Sequence, residues 1–162
     1  MVSRKSRLQP SPARFKPEAI DLLLVAESPP NSLDRYFYFD DVTEQDSLFR
    51  YVSKMILGEL SDRSHKSDDL ARLRDAGVFL IDVKEQPGKP AVSHVGDVVE
   101  RCRQLSPRRI ILMKATVYDL VYTALLDAGL PVVDERIPFP GSGRQKRFEE
   151  KFKRALAVSE RR

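Results

Sequence analysis

At 162 residues, with 41% hydrophobic and 32% charged side chains, the chain has the size and composition of one globular domain that buries its own core. No apolar run approaches the roughly 20 residues of a membrane helix. The single cysteine, Cys102, excludes an intrachain disulfide and a cysteine-cluster metal site, and the two histidines, His65 and His94, stand too far apart in sequence to suggest zinc. The net charge is only +4, yet Arg4, Lys5, Arg7, Arg14 and Lys16 precede the first acid, and Arg144, Lys146, Arg147, Lys151, Lys153, Arg154, Arg161 and Arg162 crowd the end. Basic ends on a balanced middle suit a polyanionic partner such as nucleic acid; a solvated arm and helix face is the plainer alternative. The basic start has no apolar stretch behind it, so no secretory signal is expected and a cytoplasmic location is.

In chain order, residues 1–17 read as a flexible basic arm with Pro10, Pro12 and Pro17 and no apolar period. One α/β domain is expected over 18–158 and a basic tail over 159–162. Residues 21–26 form an apolar run of strand length that ends abruptly in Glu27-Ser28-Pro29-Pro30. A connection with the aromatic block Tyr36-Phe37-Tyr38-Phe39 and the acids Asp40 and Asp41 follows. Thr43, with Asp46 three residues on, caps a helix expected over 43–58, whose inward face is Leu48, Phe49, Val52, Met55 and Ile56. A shorter helix over 67–76 stops at Gly77. Residues 78–83 read as a second strand, running into the irregular loop 84–90. Ser93 caps a helix over 94–105, which Pro107 breaks. Residues 109–113 form a third strand ending at Lys114. Thr116 and Asp119 open the next helix, with Val117, Leu120, Val121, Ala124 and Leu125 inward, and Gly129 closes it. Residues 131–133 read as a short fourth strand. After the rigid loop 137–143, Ser142 and Gln145 have capping-box spacing for a last helix over 144–157.

Strands alternating with helices, and apolar enough to be covered on both faces, predict a three-layer α/β/α sandwich with a four-stranded parallel sheet in the order 2-1-3-4. The switch point then lies between the first and third strands, and ligands bind outside the carboxyl ends of the strands there. Each strand ends in something polar or rigid: Glu27-Ser28-Pro29-Pro30, then Asp82 and Lys84, then Lys114, then 139–143.

Several residue types on that edge suit specific chemistry. Glu27 reads either as a general base for water or as an ion-paired or helix-capping carboxylate. Ser28 has no histidine partner in sequence and is a poor nucleophile candidate. An aromatic from the 36–39 block, Tyr38 or Phe39, stacks on a nucleobase or else packs in the core. Gly141-Ser142-Gly143 opens a helix where backbone N–H groups and the helix dipole attract an anion such as phosphate, and Arg144, Lys146 and Arg147 add charge; a plain cap with a solvated first turn is the alternative. No metal site and no cofactor is expected.

The ordered motifs resemble the uracil-DNA glycosylase superfamily, over residues 20 to 157, and look closest to its mismatch-specific and thermophile-type branches. Ala26-Glu27-Ser28-Pro29-Pro30 is similar to the first motif, a strand followed by Gly-x-(Asp/Asn/Ala)-Pro. There Glu27 matches the Glu of the thermophile-type version and Ser28 the variable catalytic position. Tyr38 or Phe39 falls where the family stacks an aromatic on the flipped base. The stretch 79–84, with Asp82 and Lys84, is similar to the strand that supplies base-recognition groups. Ile110-Ile111-Leu112-Met113-Lys114 looks like the family's strand–helix joint. Phe139-Pro140-Gly141-Ser142-Gly143-Arg144 resembles the second motif, (His/Asn)-Pro-Ser-x-x, whose loop enters the minor groove and helps extrude the base.

The resemblance implies a DNA-binding protein that hydrolyses the N-glycosidic bond of a damaged or mismatched base. Its catalytic residues are Glu27 and Ser28. Pro29, Tyr38, Phe39, Asp82, Lys84 and Phe139 contact the base, and Gly141, Ser142, Gly143, Arg144, Lys146 and Arg147 contact single-stranded or mismatched DNA. Two departures are plain. Serine replaces the catalytic Asp or Asn, so Glu27 must place the water, and Phe139 replaces a hydrogen-bond donor. Two alternatives remain: an inactive nucleic-acid or nucleotide-binding module of the same fold, and a flavodoxin-like or nucleotide-processing protein.

Overall fold

The structure, a computed structural model, describes residues 11–31, 37–38, 47–58, 65–141 and 143–159. The expected caps Thr43 and Asp46, the aromatics Tyr36 and Phe39, the loop serine Ser142 and both extreme ends lie outside the described residues. Among the described residues three strands form one parallel sheet: β1 (Leu22–Ala26), β2 (Val78–Asp82) and β3 (Ile110–Leu112). Their order is β2-β1-β3, with Leu24 opposite both Leu80 and Ile111. All five β1 side chains are buried, and alternate ones point to opposite faces, so both faces of the sheet are covered.

Among the described residues five helices of ten or more residues cover it: α1 (Ser47–Leu57), α2 (Lys66–Asp75), α3 (Val95–Leu105), α4 (Ala115–Asp127) and α5 (Gln145–Ser159). They fall into two packed groups. α1 lies against α2 and α5, and α3 lies against α4. Right-handed crossovers account for this grouping, because the chain moves one way along the sheet from β1 to β2 and the other way from β2 to β3. The core runs through both groups, with Phe49, Val52, Phe148 and Phe152 in the first and Val98, Cys102, Val117, Val121 and Leu125 in the second.

The expected fourth strand is replaced by a single parallel bridge between Ile110 and Val132. Ile110 N–H donates to the Pro131 carbonyl at 2.9 Å and Val133 N–H donates to the Ile110 carbonyl at 2.8 Å. The ladder stops there for local reasons. Pro131 has no N–H, and the Glu135 N–H turns back to the Val133 carbonyl at 3.0 Å. Among the described residues the sheet is therefore three strands in the order 2-1-3, not four.

At the opposite end of β1, the Asp21 and Leu22 amides both reach the Gly77 carbonyl, at 2.8 and 3.1 Å. Gly77 has φ +79°, and a Cβ on it would stand 3.0 Å from Asp21 Cβ, so only glycine fits where α2 turns into β2.

Of the expected arm, residues 11–17 are described. Ser11–Arg14 makes one helical turn. Phe15, 3% exposed, stacks on Tyr38 with ring centroids 6.3 Å apart, and Pro17 is buried. Tyr38 is itself 3% exposed and also packs on Phe37 and Phe79. Its hydroxyl accepts a 2.7 Å hydrogen bond from the Leu80 amide, which faces away from β1 on the outer side of β2. Tyr38 thus covers the outer edge of β2 at Leu80.

Two measurements follow from these contacts. Tyr38→Phe leaves the buried Leu80 amide without its acceptor, and an unmade buried hydrogen bond costs about 1–3 kcal/mol. Urea unfolding is expected to show that loss; no measurable change would mean that water reaches the edge. Cys102 is fully buried, and that burial, opposed in part by Arg101, pushes its thiol from 9.0 up to about 11. The folded state therefore favours the neutral thiol. Its stabilising contribution is complete below pH 9 and is lost as pH rises through about 11. Between those values wild type is expected to lose more stability than Cys102→Val, read by denaturant midpoints at each pH.

Candidate functional site

The switch point of a sheet ordered 2-1-3 lies between β1 and β3, and a cluster of polar side chains meets there. Glu27 directly follows β1. The ladder carries one residue beyond the strand, because the Val83 and Lys84 amides donate to the Ala26 and Glu27 carbonyls at 2.9 and 3.1 Å. Lys114 follows β3 and caps α4. The Met113 amide before it donates to the Val25 carbonyl at 2.8 Å, and the Val117 and Tyr118 amides donate to the Lys114 carbonyl at 3.0 and 3.1 Å. Both backbones are thus held on each side of the residue that carries the charge.

The side chains then meet across the switch point. Lys114 Nζ donates to Glu27 Oε1 at 3.0 Å, and Thr116 Oγ1 donates to Glu27 Oε2 at 2.9 Å. The pair is partly open, with side-chain exposures of 36% for Lys114 and 23% for Glu27. A cavity of about 270 Å³ adjoins it, lined by Glu27, Lys89, Pro90, Thr116, Asp119 and Leu120. A carboxylate offers about four acceptor positions, so two remain on Glu27 after these bonds.

Phe139 is the aromatic at this site. It is 39% exposed, and the Lys114 ammonium lies 5.9 Å from its ring centroid. The ring rests over Gly141, where a Cβ would stand 3.3 Å from it, so a larger residue there would press on the ring. The segment that carries Phe139 is pinned to α4 by two polar contacts. Arg136 donates from Nε and Nη2 to both carboxylate oxygens of Asp119, each at 2.9 Å, and the Tyr118 hydroxyl donates to Asp134. The Arg136 bond holds the Asp119 carboxyl below its ordinary value, and the Asp134 bond is the main cause that pushes Tyr118 up to about 12. Beyond Phe139, Gly143 has φ +80° and the Arg144 amide closes onto the Gly141 carbonyl at 3.1 Å. α5 then starts, anchored by buried Phe148 and Phe152, with Arg144, Lys146 and Arg147 exposed.

The structure therefore joins some of the expected site residues and separates others. Glu27 and Phe139 share one cluster through Lys114. Ser28 and Pro29 follow Glu27 and are half-buried. Tyr38 belongs to the core and to the β2 edge. Asp82 lines a different cavity, of about 390 Å³, beside Lys16, Glu85, Arg101 and Gln104 on the outer side of β2. Lys84 is half-buried and folds over its own loop, its Nζ 2.9 Å from the position a Gly88 Cβ would take. Phe39 and Ser142 lie outside the described residues.

No pattern in the sequence places Thr116, Asp119, Lys89 or Arg101 at this edge. Arg101 donates to the Asp82 and Val83 carbonyls, both at 2.8 Å, and to Asp97, also at 2.8 Å, which fixes the exit of β2. Lys114 was visible as a polar residue ending an apolar strand. Among the described residues no group of three or more His, Cys, Asp or Glu side chains is placed to hold a metal ion. No protein-family model and no curated protein matches this chain.

The Glu27–Lys114 pair is partly solvated, so its worth to folding is small. A double-mutant cycle with Glu27→Gln and Lys114→Met is expected to give a coupling of about 0.5–1 kcal/mol in urea unfolding. A coupling of several kcal/mol would identify the pair as a structural clamp.

Proposed function

We propose that this protein binds DNA at the carboxyl edge of its sheet and hydrolyses the N-glycosidic bond of a damaged or mismatched base, as its resemblance to uracil-DNA glycosylases implies. The observation that carries the reading is the Glu27 carboxylate, held at the switch point by Lys114 and Thr116 beside an open cavity. A carboxylate fixed on two sides has little freedom to reorient, and its remaining acceptor positions hold a water for attack on the sugar C1′. Lys114 balances charge next to it. Phe139 offers a ring face for the displaced base, since base–aromatic stacking is tolerant of base identity. Arg144, Lys146 and Arg147 carry no acid among them and suit the phosphate backbone.

A second reading has its own support. Both Glu27 oxygens already accept a hydrogen bond, and Phe139 stands where the resemblance expects a donor. These features favour a module of the same architecture that binds DNA without turnover.

One panel separates the two. Oligonucleotides bearing uracil, hypoxanthine or a mismatch are incubated with the protein and treated with alkali. Strand nicks are expected, and Glu27→Ala is expected to reduce them by roughly 10²-fold or more, the scale of a lost general base. Salt-sensitive binding without nicks would select the binding module. Three phosphate contacts predict a log–log salt slope of about −2 to −3, which Arg144→Glu flattens by about one unit on every sequence alike. Absent or salt-independent binding would sink both readings.

A further inference from the structure

We infer that Lys114 is a nucleophilic amine that opens the DNA strand at an abasic sugar, with Glu27 as its proton carrier. This rests on the DNA reading of the same site and extends it to a second reaction. The geometry points to Lys114 in particular. Its Nζ lies 3.0 Å from Glu27 Oε1, while Thr116 holds the other carboxylate oxygen at 2.9 Å and keeps Glu27 aimed at the amine. The side chain is 36% exposed and flanked by two residues that line the cavity, Glu27 and Thr116. The half-exposed Phe139 ring, its centroid 5.9 Å from the ammonium, sets an apolar surface beside the amine. The other two lysines of this edge lack that arrangement: Lys84 lies over Gly88, and no carboxylate stands at hydrogen-bond distance from Lys84 or Lys89 among the described residues.

The step balances with the groups present. Loss of a base leaves a deoxyribose whose ring-opened form carries an aldehyde at C1′. The Lys114 ammonium passes a proton to Glu27, and the free amine adds to the aldehyde carbon. Glu27 returns the proton as the carbinolamine expels water, leaving a protonated imine and the carboxylate. Glu27 then takes a proton from C2′. The electrons of that C–H bond form the C2′–C3′ double bond, and the bond from C3′ to the phosphate oxygen breaks. The downstream strand leaves with a 5′ phosphate. Water hydrolyses the imine and restores Lys114.

The test uses the full chain and an oligonucleotide with one aldehydic abasic site, with and without sodium cyanoborohydride. A covalent protein–DNA adduct is expected, mapping by peptide mass to Lys114. Lys114→Arg keeps the charge beside Glu27 but has no free amine, so the adduct is expected to fall by roughly tenfold or more. Glu27→Gln is expected to keep trapping measurable while slowing strand scission by roughly tenfold or more. Binding to the same oligonucleotide with a tetrahydrofuran in place of the abasic sugar is measured in parallel. Firm tetrahydrofuran binding with no adduct, or an adduct mapped to another lysine, would overturn the inference and leave the DNA reading standing. No binding to either oligonucleotide would overturn both. Peptide mapping on the wild-type chain decides the matter even if Lys114→Arg does not fold.

Discussion

The seating of β1 between two parallel neighbours is the constraint on which the rest depends. This strand pairs in parallel with β2 on one side and β3 on the other, and every side chain is buried. Because the ladder to the β2 side runs one residue past Ala26, the Glu27 backbone is fixed by the same bonds that hold the sheet. On the other side, the bond from Met113 to Val25 places the start of α4 at the same height. The distance between Glu27 and Lys114 is therefore set by strand spacing and not by loop conformation, and such sites keep their geometry better than sites built on loops.

Much of this framework was legible in the residues. Apolar runs at 22–26, 78–82 and 110–112 are too continuous for half-exposed strands, and the helical faces between them repeat at the right spacing. Gly77 and Gly129 marked helix ends correctly, and both have positive φ. The fourth strand was misread for a reason that lies outside local pattern. The stretch Pro131-Val132-Val133 is apolar enough for a strand, but whether it pairs along its length depends on where the chain goes next, and here Glu135 folds it back after one bridge.

The site was legible in part. A carboxylate after one buried strand and a lysine after another become neighbours once the strand order is known, and this pair needed nothing more. Thr116 and Asp119 looked like helix-opening residues and nothing else. Their contacts with Glu27 and Arg136 join positions 89 and 17 residues apart, which no local pattern encodes. The aromatic block offered two readings, a stacking platform or core packing, and for Tyr38 burial against Phe15, Phe37 and Phe79 selects the core. Among the described residues the exposed phenyl ring is that of Phe139, which the sequence presents only as a replacement for a polar residue.

The outer side of β2 has a consequence for how copies of this chain treat one another. An unpaired strand margin is a template for intermolecular pairing. Here the Tyr38 hydroxyl occupies the Leu80 amide, and the Arg101 guanidinium occupies the Asp82 and Val83 carbonyls. A foreign strand has to displace a buried aromatic at one end and a charged fork at the other before it can pair. That guard reaches β2 from two distant stretches, 42 residues before Leu80 and 18 residues after Val83. Until both have docked, a newly made or refolding chain carries a bare strand margin. Pairing along this margin is therefore a hazard of the incompletely folded chain, and the finished fold guards it there.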